Sequence, residues 1–428
     1  MADPTIVLAN NLWVILCGLL VFTMTISVGF LEIGELGSDF EISLLKTMLI
    51  SGSAIFFMAL FGFNTAFAPT VSGVIGNPFY TGIFLGGSAT NVPGLLTGTW
   101  WSQQITGLTI GTYFLFETAF ASVTLALVGV IVLRKVKIQA FFLYSIVYFI
   151  IIWNLPAAWI WNPTGWLAQM GMADFAGGLV VHGAAGAAGL GIIWQVWREE
   201  RKRGLTVSPQ VPAKLNLPWL TLSILLLWVG WFGFNPGSVL AFNDEAMVVV
   251  LTTFLAAASA FLSIMYFRYQ VTKQMPSLLY GVNGVLMGLI IITPLAGFVS
   301  PLSATILGLL GGPLFLVGEK WFGRFKWFTD PVGLFPGHLL GGIFGVLMIG
   351  FFTQKAFVSA LPSLTLVDAT SVSTSLPDGL LYGGGLSALH QLGIEAFGVA
   401  VVMTTVFVLS YVSARIISTL TKGITSST

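Results

Sequence analysis

Two stretches decide how this chain is built. One reads Asp174-Phe175-Ala176-Gly177-Gly178-Leu179-Val180-Val181-His182, the other Asp330-Pro331-Val332-Gly333-Leu334-Phe335-Pro336-Gly337-His338. In each, an Asp is followed eight residues later by a His, within an apolar segment. Asp is a favoured helix N-cap, and Pro331 suits the first helical position. Eight residues of helix put each His ~12 Å inside its own membrane face. If the segments enter from opposite faces of a hydrocarbon core ~30 Å thick, the two His differ by only ~6 Å in depth. That predicts two inverted five-helix halves around a shared midplane site.

The rest of the chain supports a bilayer setting. Of 428 residues, 56% are hydrophobic and only 8% charged, with 35 Phe, 14 Trp and 50 Gly. A soluble domain carries about 25% charged residues. The composition excludes a soluble enzyme, a disordered chain and a nucleic-acid binder, which needs a basic patch. A single cysteine, Cys17, excludes an internal disulfide or a cysteine metal cluster. Met1 to Asn10 holds Asp3 and no Lys or Arg, so it lacks the basic start of a signal peptide, and the run 12–31 reads as a retained first span.

A span takes about 20 mostly apolar residues. Eleven segments qualify: roughly 11–33, 45–68, 105–133, 138–160, 174–197, 216–236, 246–268, 277–299, 301–319, 331–353 and 391–417. An odd number puts the termini on opposite sides. Sixteen of the 17 Lys and Arg follow odd-numbered spans: Lys46, Arg134, Lys135, Lys137, Arg198, Arg201, Lys202, Arg203, Lys214, Arg268, Lys273, Lys320, Arg324, Lys326, Arg415 and Lys422. Only Lys355 falls on the other side. The basic side is cytoplasmic, so the N-terminus is expected outside and the C-terminus inside, in the plasma or inner membrane of the cell. The expected fold is an all-α polytopic membrane protein: one domain over 1–428, with pseudo-repeats at about 11–197 and 216–353 and an extra helix at 391–417.

Polar residues within the spans are expensive in lipid and are functional candidates by default. His182 and His338 form a symmetric pair and are the foremost of these. The third histidine, His390, falls at the mouth of the last span. Glu117 lies in mid-span beside Phe116 and close to Phe120, and must pair, protonate or face water. Asp174 and Asp330 read as caps, the charge of Asp174 also stabilising a cation at the outer mouth. Glu395 reads as a helix-terminus residue. Gly183, Gly186 and Gly189, like Gly341, Gly342 and Gly345, read as seams for close helix packing. No cofactor or metal site and no enzymatic chemistry is expected.

These motifs resemble the Amt/Rh ammonium transporters. Asp174 to His182 looks like that family's fifth-helix signature, Trp231-Phe232-Gly233-Phe234-Asn235 with Gly237-Ser238 its sixth-helix motif, and Asp330 to His338 its tenth-helix spacing. Phe116 with Phe120-Ala121 resembles its paired third-helix phenylalanines. The resemblance covers nearly the whole chain. It implies a homotrimer in the lipid bilayer with one ammonium or ammonia pore per subunit. It casts His182 and His338 as twin pore histidines and Phe120 and Phe234 as a stacked gate. Trp161, Phe120 and Ser238, beside Phe116, would form the outer recruitment site, with Asp174 behind it. Trp161 fits after a one-residue insertion.

Several positions depart from the family pattern. Glu117 stands where a glutamine is usual, Gly333 replaces an acidic residue, Pro236 lies inside the sixth-helix motif, and Pro336 is expected to kink or narrow the inner vestibule. The short segment after the last span argues against control by a PII-type regulator. Two further readings stand beside transport: an ammonium-sensing membrane domain serving a signalling partner, and a haem protein with His182 and His338 as axial ligands.

Overall fold

The computed structural model describes residues 4–37, 39–80, 107–132, 135–204, 215–325, 327, 330, 333–361 and 376–426. Arg134, Lys214, Lys326 and Pro331 lie outside the described residues. The architecture is helical, with eleven helices long and apolar enough to cross a membrane. They are α1 (Pro4–Leu36), α2 (Phe40–Phe67), α3 (Ile110–Val132), α4 (Ile138–Ile160), α5 (Gly178–Lys202), α6 (Leu217–Gly237), α7 (Asp244–Thr272), α8 (Leu278–Leu295), α9 (Pro301–Phe322), α10 (Phe335–Phe352) and α11 (Gly385–Leu420). A two-stranded hairpin, β1 (Thr70–Val71) with β2 (Ile75–Gly76), follows α2. We call the face where α1 begins the N-terminal face, and the face where α11 ends the C-terminal face.

Every expected span has its helix, though α1 and α11 run longer than hydropathy alone suggests. Their extra turns are still apolar, so a count of about 20 residues per span clips them. The opposite error occurs at α5 and α10, which start at Gly178 and Phe335, four and five residues after their Asp caps. Both begin with a π turn, Gly178–Gly183 and Phe335–Leu340, and each π turn contains the His. The segment before α5 is held by Phe175 N–H to Pro294 O at 2.9 Å and Ala176 N–H to Thr293 O at 3.2 Å, at the end of α8. Gly177 has φ 104°, a left-handed conformation that glycine adopts without steric cost. Non-helical backbone at membrane depth is thus satisfied by protein.

α1 packs along α6 and α3, α7 along α9 and α8, and α5 along α11. α3, α5 and α8 are mostly buried, whereas α2 and α11 present apolar faces outward, including Leu45, Met48, Val408 and Val412. The glycine seam has a measurable role. A Cβ on Gly342 of α10 would stand 2.3 Å from Gly178 O and 3.2 Å from the His182 Cβ, so only a glycine lets α10 press against the π turn of α5.

Three expectations change. Lys46 lies within α2, buried and ion-paired with buried Glu32 of α1, so it is not a loop charge. Glu395 lies ten residues into α11 and is fully buried rather than terminal; its Oε1 accepts Ala173 N–H at 3.0 Å and Gln391 Nε2 at 2.7 Å. Pro336 is in the first turn of α10, where its missing N–H loses no helical bond, and it packs against Gly318 of α9 instead of kinking the helix.

At the C-terminal face the residues after α11 fold back. Glu199, near the end of α5, accepts Ile424 N–H at 3.1 Å, Thr425 N–H at 3.0 Å and Thr425 Oγ1 at 2.6 Å. Thr425 also pairs with Val136 in a β-bridge, and Ser426 N–H donates to Lys135 O at 2.8 Å.

Candidate functional site

Asp174 organises the start of α5. Its two carboxylate oxygens accept the backbone N–H groups of Gly177, Gly178, Leu179 and Val180 at 2.7–3.1 Å. These are the donors a helix start leaves without partners, and an anion there is also favoured by the helix dipole. The carboxylate is fully spent on the backbone, as the cap reading expects. Its main-chain carbonyl takes one more bond, from the Trp161 indole Nε1 at 2.7 Å, which fixes that ring over the start of the helix. Asp330 does the same for α10, accepting the N–H groups of Leu334 at 2.9 Å and Phe335 at 2.8 Å.

Above the α5 start is a cavity of about 130 Å³, partly open, lined by Tyr113, Phe116, Glu117, Phe120, Trp161, Asp174 and Ser238 among others. The structure therefore brings together every residue expected at the recruitment site. Phe116 and Phe120 are tilted against each other at 4.8 Å between centroids, and Trp161 meets Phe120 edge-on at 5.8 Å. Ser238 Oγ donates to Phe234 O at 2.9 Å, which leaves its lone pairs free to accept. Glu117 is 4% exposed; the Tyr113 hydroxyl hydrogen-bonds it, and its Oε2 has no partner among the described residues.

Phe120 forms the floor of this cavity and lies 4.2 Å from Phe234, centroid to centroid. On the far side of Phe234 a narrow void begins, lined by Leu31, Val123, Leu127, Val181, Leu227, Trp231, His182 and His338 among others. A third narrow void continues from His338 past Leu31, Leu127 and Leu286 towards the C-terminal face. The second and third spaces share Leu31, Leu127, Leu286 and His338, and the phenyl pair stands between the first and the second.

The two histidines meet directly. Their Nδ1 atoms are 3.1 Å apart, closer than the helix-depth arithmetic predicts, because α5 and α10 start deep and their π turns carry the rings inward. Such a bond needs one Nδ1 to donate and the other to accept. The neutral rings are therefore opposite tautomers, one presenting a bare Nε2 and the other an Nε2–H. His182 Nε2 is buried with no partner among the described residues. The His182 ring lies near-parallel to Phe234 at 5.7 Å and to Trp231 at 5.4 Å, two rings that themselves meet at 5.5 Å. A bis-histidine haem would need an iron and a porphyrin between rings that already touch, so these two residues do not fit that group.

Two participants escape the sequence reading. Trp231 figures there only as part of a motif, yet it lines the central void, its Nε1 donating to Thr293 Oγ1 at 3.0 Å. Glu395 anchors the segment leading to Asp174; a carboxylate in an apolar span is the available signal. His390, by contrast, is exposed on α11.

Residues 12–427 match the Ammonium Transporter Family. The ammonium transporter of Bacillus subtilis is 30% identical over 419 residues, 96% of this chain and 92% of its own length. Ammonium transporter Amt1 of Archaeoglobus fulgidus is 29% identical over 342 residues, 80% of each chain. Among solved structures, one described as a sensor Amt protein superposes with a TM-score of 0.80 at 24% identity, covering 99% of this chain and 96% of that one. Mep2 of Saccharomyces cerevisiae superposes with a TM-score of 0.76 at 22% identity, covering 95% of this chain and 86% of that one. The two structures share the fold, and the sequence match carries the lineage: this multi-pass membrane protein belongs to the Ammonium Transporter Family.

Proposed function

We propose that this chain passes ammonium nitrogen across a membrane, recruiting the cation at the aromatic cavity and moving ammonia past the histidine pair. The observation that carries the reading is His182 Nε2, an unpartnered polar atom facing an otherwise apolar void directly beneath the phenyl pair. A buried polar atom without a partner costs about 1–3 kcal/mol, which a small hydrogen-bonding guest recovers.

The steps follow from the lining. The faces of Phe116, Phe120 and Trp161 attract a cation by ~0.5–2 kcal/mol, depending on desolvation. Ser238 accepts one of its N–H bonds, and Glu117 supplies charge nearby; Asp174 holds the frame through the α5 backbone. An ion entering the central void would lose its hydration with no counter-charge. Desolvation favours neutral ammonia, so ammonium leaves a proton to water or carboxylate in the cavity. Ammonia then passes Phe120 and Phe234 and hydrogen-bonds to the unlike Nε2 atoms of His182 and His338. Potassium has no proton to leave and is refused.

In this reading the N-terminal face is outside and the C-terminal face is cytoplasmic, supported by the basic residues clustered after odd-numbered helices. The chain works as one domain of two inverted halves, 11–197 and 216–353, with the 391–417 helix added, and assembles as a homotrimer.

One observation favours a second reading. The 4.2 Å phenyl stack leaves the outer and central spaces unconnected, and the cavity gains a carboxylate at Glu117. A closed floor beneath a charged aromatic cage suits a membrane domain that binds ammonium and reports it to a signalling partner. Reconstitution decides: ammonium jumps across liposomes containing the purified chain should give alkalinisation or current. Binding with neither would establish the sensor.

A further inference from the structure

One helical turn beyond the third void, α1 carries a carboxylate that the mechanism above does not use. Leu31 lines this void, and Glu35 lies one turn further along the same stripe of α1. Glu35 is 2% exposed, and both its oxygens lack a hydrogen-bond partner among the described residues. The other charges around it are accounted for. Glu32 is paired with Lys46, and the Asp330 oxygens cap Leu334 and Phe335. Asp330 is close enough to Glu35 for the two carboxyl groups to interact electrostatically. Among the described residues, the Glu35 carboxyl group is the one left without a partner here.

A buried carboxylate without a partner must take a proton or hold a cation. Among the described residues, the polar groups at hand are Glu35 and the amide of Asn283, which lines the third void. Among the described residues no cluster of His, Cys, Asp or Glu could hold a metal ion. A single free carboxyl group suits a monovalent cation carrying N–H donors.

We propose that Glu35 is a second ammonium site at the C-terminal-face end of the pore, where ammonia leaving His338 is reprotonated. With the site empty, Glu35 carries a proton. The ammonia lone pair takes it: the O–H bond breaks, an N–H bond forms, and an ammonium–carboxylate pair results. When ammonium leaves, the carboxylate takes its next proton from water on that side. The proposal rests on the transport reading, and its test separates the two.

Ammonium chloride is titrated calorimetrically into the full chain in lipid nanodiscs, in two buffers of different ionisation enthalpy, so that ions bound and protons displaced are both counted. Parent, Glu35→Gln, Glu35→Asp and Glu117→Gln proteins are compared. The parent should bind two ammonium ions per subunit, and Glu35→Gln one, with proton displacement at the lost site abolished. Glu35→Asp should keep two, the inner one roughly tenfold weaker. Glu117→Gln should weaken only the outer ion. An unchanged ion and proton count in Glu35→Gln overturns the proposal. If that variant does not fold, an unshifted inner affinity in Glu35→Asp overturns it equally. Ammonium binding that responds to Glu35 and not to Glu117 sinks the outer cage while leaving the inner site standing.

Discussion

Asp174 and Asp330 open the two histidine helices by the same device, yet the surroundings of the two starts differ. Asp174 takes four backbone N–H groups and fixes Trp161 through its carbonyl, beneath a large aromatic cavity. Asp330 takes the two at Leu334 and Phe335, beside a small void lined by leucines, glycines and Asn283. Repetition explains the histidines, which must meet and therefore need matched helix starts. The difference assigns the ends their tasks. In the transport reading, capturing a hydrated cation takes aromatic faces, a hydroxyl and a carboxyl group, whereas release takes a path to water and the one carboxyl group proposed above to return a proton.

The histidines are where the two capped helices converge, so removing them has the greatest consequence. His182→Ala with His338→Ala should abolish ammonium flux into liposomes or open the path to potassium, read by a pH dye and by current. Flux retained at the parent rate and selectivity would remove the pair from the mechanism.

The caps come next. Asp174→Ala strands four buried donors and should cost about 3 kcal/mol or more, whereas Asp330→Ala should cost about 1 kcal/mol. Thermal unfolding in detergent gives both values, and equal losses would erase the asymmetry between the ends. At the outer cage, Glu117→Gln should weaken ammonium binding roughly tenfold, by loss of a buried charge near a cation. No change would mean that the carboxyl is neutral or turned from the ion. Ser238→Ala removes one acceptor worth about 1 kcal/mol, so affinity should fall about fivefold, with the stability of the chain unmoved.

Much of this is legible in the sequence because lipid makes polar residues conspicuous. The eleven helices, the Asp caps and the meeting of His182 with His338 all follow from hydropathy and two short motifs. Chain spacing cannot reveal the π turns, because the hydropathy of Gly178–Gly183 is the same whether it winds as α or π. The depth arithmetic accordingly leaves a difference of ~6 Å in depth and says nothing of the ring-to-ring bond. Trp231 is hidden for another reason: aromatic residues are common in membrane helices, and only packing shows which one lines a void. Pro336 misleads because its effect depends on where the helix begins, and the chain places that start at Phe335.

The clasp at Glu199 has a mechanical consequence. Seventeen residues of α5 separate it from His182, a stiff rod of ~25 Å. One end of that rod grips residues 424 and 425, and the other carries half of the histidine contact. A hydrogen bond between two rings tolerates only tenths of an ångström of slack before it breaks. One continuous helix therefore joins the tail clasp to the histidine contact. A pull on the tail bears on the histidine contact, and a guest wedged between the rings bears on the tail.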